Sequence, residues 1–76
     1  MEHKYKGYLM RAGAAPVHDN TEWKPIAQLN WTEKGIDRVK LWMEWCFVRS
    51  FSTCDDAEKE ANSFAKSWID AKAEGT

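Results

Sequence analysis

Cys46, Cys54, His3 and His18 are the side chains of this chain best suited to bind a metal or attack a substrate. A zinc centre needs Cys or His ligands paired at short spacing. No two of the four stand at that spacing, which disfavours a metal site. His3 falls in the N-terminal tail and His18 in a turn-forming segment, where exposed imidazoles are the simpler reading. Nucleophilic catalysis would rest on Cys54, placed at the first position of a helix, where the dipole lowers a thiol pKa. Asp55 and Asp56 oppose this, because nearby negative charge disfavours a thiolate. No histidine is tied to Cys54 by sequence, and His18-Asp19 reads as a turn rather than a dyad. The expectation is a non-enzymatic chain with no cofactor. Two cysteines are too few for a disulfide framework, so reduced thiols are favoured over a Cys46–Cys54 bridge.

Charge argues against several binding classes. Eleven basic residues nearly balance twelve acidic ones, for a formal net charge of −1. That is not the basic excess of a nucleic-acid binder, and no like-charge run is long enough to be an interaction tail. Double-stranded-RNA binding would need a basic helix start to meet phosphates. The start here carries Asp55, Asp56, Glu58 and Glu60 against Lys59 alone. Lys4, Lys6 and Arg11 make a small basic stripe, read more simply as a solvated strand face. The longest apolar run falls far short of the roughly 20 residues that span a bilayer. Met1–Lys6 lacks the apolar region of a secretion signal, so a cytoplasmic location with no membrane partner is expected.

At 76 residues the chain is expected to be one domain, 1–76. A domain of this size buries only about 60% of its unfolded surface. Small scaffolds therefore need a partner or a very well-packed core. Five Trp, three Phe and two Tyr supply such a core.

The elements follow from periodicity. "KYKGYLMRA" reads as a strand, with Gly7 marking a bulge or close backbone approach. "AGAAPVHDNTEW" is rich in turn formers. "WKPIAQLNWT" alternates: Trp23, Ala27, Leu29 and Trp31 share one face, and Lys24, Gln28 and Asn30 the other. Pro25 cannot donate to a ladder, so this strand lies at an edge or begins its pairing beyond it. A turn around Gly35 follows. "VKLWMEWCFVRSF" also alternates, with Leu41, Met43, Trp45 and Phe47 on one side and Trp42, Cys46 and Val48 among those on the other. A helix is the rival there, but Trp, Phe and Val enrichment favours a strand. Thr53 is a good N-cap, with Asp56 at the capping-box position. Ala57, Ala61, Phe64, Ala65, Trp68 and Ile69 form one apolar stripe, and Gly75 is a natural stop. The expected strands lie near 4–13, 22–32 and 38–50, and the helix near 54–73. The fold class is α+β: a three-stranded antiparallel sheet with one C-terminal helix packed on one face, β-β-β-α.

These residues also carry a resemblance. Gly7-Tyr8, Trp23-Lys24-Pro25 and Trp68-Ile69-Asp70 match a Gly-Tyr, Trp-x-Pro and Trp-Ile-Asp pattern. In this the chain resembles a group of small uncharacterised bacterial proteins over most of its length. The layout is similar to the sheet-helix core of double-stranded-RNA-binding domains and HicB-type antitoxins. Phe51, Thr53 and Ala57 are similar to the helix entry of the latter. The resemblance implies the fold and a bacterial source, but fold does not imply function.

One helix dries only one sheet face, and Leu41, Met43, Trp45 and Phe47 are the better candidates for it. That leaves Trp42, Cys46 and Val48 on the far side as the candidate contact surface. Trp42 could instead lie flat among Lys and Arg stems, or stack single-stranded nucleic acid, which the charge makes the weakest of the three. The first reading is an interaction module that self-associates or binds a protein through its sheet. A HicB-like antitoxin and a weak nucleic-acid-binding domain are the alternatives.

Overall fold

A computed structural model describes residues 2–74, with side chains described through 72. The chain runs β1 (Glu2–Tyr5), β2 (Tyr8–Val17), β3 (Glu22–Glu33), β4 (Ile36–Trp42), a 3-10 turn (Glu44–Cys46) and α1 (Cys54–Glu74). The strands form one antiparallel meander in the order β1-β2-β3-β4. The class is α+β as the sequence suggests, but the sheet has four strands rather than three. The expected stop at Gly75 lies outside the described residues.

The extra strand comes from Lys6-Gly7. The expected strand over 4–13 is broken there by a two-residue turn that sets Tyr5 opposite Tyr8. Both turn residues are left-handed, φ 49° and 86°, the requirement of a type I′ hairpin, whose twist matches its strands. Gly7 is thus a turn residue and not a bulge. Lys34-Gly35 repeats the device, with φ 52° and 78°, and sets Glu33 opposite Ile36. At the other end of the sheet His18, Asp19 and Asn20 all take positive φ, a region His, Asp and Asn enter more readily than most side chains. The Thr21 N–H and hydroxyl both donate to the His18 carbonyl there, at 3.1 and 2.6 Å.

Pro25 decides where β4 ends. Trp23 exchanges both backbone hydrogen bonds with Phe51, at 2.7 Å each. Alternate residues of a strand point their N–H groups the same way, so the N–H that Pro25 lacks would also face β4. Pairing stops at Ala27–Trp42, skips Pro25, and resumes only at the Trp23–Phe51 bridge. Residues 43–50 loop out between. The expected strand over 38–50 is therefore a seven-residue strand ending at Trp42, then a 3-10 turn and a loop.

The helix starts as the sequence indicates. The Asp56 N–H donates to Thr53 Oγ1 at 3.2 Å, and the Ala57 N–H to the Thr53 carbonyl at 3.3 Å. Asp55 and Asp56 lie in the first turn, at the positive end of the dipole. Ala57, Ala61, Ala65 and Ile69 form its buried stripe. The helix lies over β2 and β3, where Ala12 and Ala27 are also small and buried. Small residues on both sides let helix and sheet approach closely. Met10, Leu29, Trp42 and Phe47 complete the core.

The face assignment in β4 is the reverse of the expectation. Trp42 is only 9% exposed and packs against the helix, while Leu41 is 50% and Trp45 73% exposed. Of the four residues expected to face the helix, Phe47 alone is buried. It reaches the core from the loop and not from a strand.

Candidate interaction surface

The helix-facing side is sealed by aromatics. Trp42 meets Phe64 and Trp68 edge-on at 5.1 and 5.6 Å, and Phe64 in turn meets Phe47 at 5.0 Å. Tyr8 and Trp31 extend the cluster beyond Trp68. Edge-on contacts set the positive ring edge against a negative ring face. The Lys72 ammonium caps the end, 4.5 Å from the Trp31 ring and 5.1 Å from Trp68. Trp42 is thus a core residue, and a contact surface centred on it opposite the helix does not exist. Cys46 and Val48 are exposed, Val48 fully so at 97%, but they stand with Trp45 on the loop.

A polar clamp fixes the first hairpin against the helix. The Tyr5 hydroxyl and the Lys6 ammonium both donate to Asp70 Oδ1, at 2.9 and 2.7 Å. The hydrogen bonds from Lys6 and Tyr5 hold the Asp70 carboxyl below its usual pKa. The same bond to Asp70 holds the Lys6 ammonium above its own. The contact ties the Lys6-Gly7 turn to the helix, while β1 itself is held by its ladder to β2.

The other side of the sheet has no layer over it among the described residues. Register places Lys4, Leu9, Asn30 and Val39 in one row across the four strands, and Glu2, Arg11, Gln28 and Leu41 in the next. Ile26, opposite Gly13, follows. Val39 is 62% exposed. Most of the polar members pair: Arg11 Nε donates to Glu2 at 2.7 Å, Gln28 Nε2 to Asn30 Oδ1 at 2.8 Å, and Thr32 to Asp37 at 3.1 Å. A depression of about 740 Å³ lies at the end carrying the two tight turns, with Lys4, Leu9, Arg11, Asn30 and Asp37 in its lining. The face is a mixed one, with Leu9, Ile26, Val39 and Leu41 set among paired polar groups.

The reactive side chains of the sequence do not converge. Among the described residues no three His, Cys, Asp or Glu side chains are placed to hold a metal ion. Both thiols are free. Burial, then Glu58 and Asp55, push the Cys54 thiol above its usual pKa, the opposite of activation. Its Sγ lies 3.8 Å from Glu58 Oε1. No described helix is long and apolar enough to cross a membrane.

The uncovered residues were legible in one respect that the alternation alone does not reveal. A two-residue turn at Lys34-Gly35 sets Glu33 opposite Ile36 and therefore Ala27 opposite Trp42. Cross-strand partners share a face, so Trp42 had to join the Ala27–Leu29 side, and Val39 and Leu41 the other. No protein-family model, curated protein or solved structure matches the chain.

Proposed function

We propose that this chain is a non-enzymatic interaction module that binds a protein partner through the sheet face left bare by the helix. The supporting observation is the exposure of Val39 and Leu41, 62% and 50%, on the same face as Leu9 and Ile26. Apolar side chains grouped on an open sheet mark a contact surface more often than scattered ones do. The paired polar groups between them give such a surface orientation. Neutralisation of a partner by a regulatory component would use the same surface.

Affinity capture from the native host tests this, with the parent compared against a Leu9→Glu/Leu41→Glu variant. Proteins retained by the parent and lost by a variant with unchanged circular dichroism support the reading. Identical retention by both refutes it. Nucleic-acid binding is the second reading, favoured by Arg11, Gln28 and Asn30 on that face, side-chain types that read base edges. The acidic Asp55, Asp56 and Glu58 stand on the helix. A retardation assay at two salt concentrations decides it, because phosphate contacts weaken with salt.

A further inference from the structure

We infer that the outer edge of β4 receives an extended peptide segment of alternating acidic and apolar residues, added as a fifth strand. This rests on the sheet-side reading above and gives that partner its chemistry.

β4 ends the sheet order, and six of its seven residues are exposed. Glu33–Ile36 closes a two-residue hairpin, so Ile36, Arg38, Lys40 and Trp42 turn their backbone groups towards β3. Asp37, Val39 and Leu41 turn theirs outwards. An edge of this kind is a template for another strand, and proteins guard it with charge. Here the positive charge is on one side, and the strand's acidic residue, Asp37, projects on the other, where its carboxylate accepts a hydrogen bond from Thr32. Arg38 and Lys40 project on the helix side with Trp42, while Val39 and Leu41 project on the bare face.

The basic row is short of counter-charge. Glu33 serves both Arg38, at 3.6 Å, and Lys72, at 3.9 Å. Lys40 lies 5.7 Å over the Trp42 ring and has no acidic partner among the described residues.

That arrangement selects the occupant. A second copy adding antiparallel to β4 must match outward-facing residues. Centred on Val39, the register sets Arg38 against the second copy's lysine at 40. Centred on Arg38 or on Lys40, it sets that residue against its own copy. Like charges directly opposite are destabilising, so β4 is guarded against itself. A strand with carboxylates beside Arg38 and Lys40, and apolar side chains beside Val39 and Leu41, meets both sides favourably. Main-chain hydrogen bonds give such strand addition its affinity, and the alternating side chains give it specificity.

The test titrates the full chain against a labelled peptide alternating glutamate with valine, read by fluorescence anisotropy. A peptide of the same composition with its glutamates and valines in separate blocks is the control. The alternating peptide is expected to bind at least about tenfold more tightly. Arg38→Glu/Lys40→Glu should transfer the preference to a lysine–valine peptide. Val39→Pro removes an outward donor without removing a β3–β4 bond, and should abolish binding with the fold retained. Hydrogen exchange on the parent gives a readout free of variants: saturating peptide should slow the amides of Asp37, Val39 and Leu41. Equal affinity for the two acidic peptides, or unchanged exchange at those amides, overturns strand addition. Failure of every peptide to bind overturns it too, while the sheet-face reading is still decided by the Leu9/Leu41 capture comparison.

Discussion

Trp42→Ala and Trp45→Ala are expected to differ sharply, although the two residues are close in sequence and identical in type. Trp42 is 9% exposed and Trp45 73%. Truncating a buried Trp costs about 3–5 kcal/mol through lost transfer energy and the cavity left behind. Trp42 also loses two edge-on contacts, to Phe64 and Trp68, each contributing about 0.5–1.5 kcal/mol beyond area. The cost should therefore fall at the upper end of that range. A chain of 76 residues has about 4–11 kcal/mol of total stability at roughly 0.05–0.15 per residue. Trp42→Ala thus removes much or all of it, whereas an exposed substitution such as Trp45→Ala stays within about 0.5 kcal/mol. Urea melts followed by circular dichroism, which does not depend on tryptophan emission, give the comparison. With a urea slope near 1 kcal/mol/M, the Trp42→Ala midpoint should fall by about 3 M or more, or the native baseline should vanish. Should the native state vanish, Trp42→Phe, which keeps a ring over Phe64, should restore a measurable transition. A Trp42→Ala melt that overlays the parent, or a Trp45→Ala melt that collapses, would refute the assignment of Trp42 to the helix side.

Three further outcomes follow from single contacts. Thr53→Ala removes the acceptor for the Asp56 N–H and should cost about 0.5–2 kcal/mol in the same melts. Asp70 has a depressed folded pKa, so its contribution is present above the unfolded value near 3.9 and is lost as pH falls through the folded one. Acid titration of Asp70→Asn should show a shallower loss of stability below about pH 4 than the parent. Cys46 is exposed while Cys54 is half-buried with a raised pKa, so mass spectrometry after brief alkylation near neutral pH should find Cys46 modified well before Cys54.

Much of the framework is readable from residue order, and the errors have physical causes. The helix announces itself through Thr53 and the apolar stripe, because capping and a 3.6-residue period are local properties. The central strand is equally plain, since Ala27, Leu29 and Trp31 alternate with Gln28 and Asn30. Gly7 misleads because a two-residue turn between apolar neighbours leaves the alternation on either side nearly undisturbed. Residues 43–50 mislead more deeply. Their alternation continues, but Pro25 removes the donor that a longer β4 would need, so the pattern never becomes a strand. Leu41, Met43, Trp45 and Phe47 make the more apolar side of the pattern, yet apolar content does not decide the face. Register, set by the turn at Lys34-Gly35, was the governing constraint. The bare face carrying Leu9, Ile26, Val39 and Leu41 draws on three strands and emerges only once that register is fixed.

Photo-crosslinking in the native host addresses the bare sheet face most directly. Benzoylphenylalanine is placed at Val39 on that face, or at Ser63 on the exposed side of the helix, with circular dichroism confirming the fold of each. Protein adducts are expected from position 39 and absent from position 63. Adducts from position 63 alone, or nucleic-acid adducts in place of protein at position 39, would contradict a protein-binding sheet.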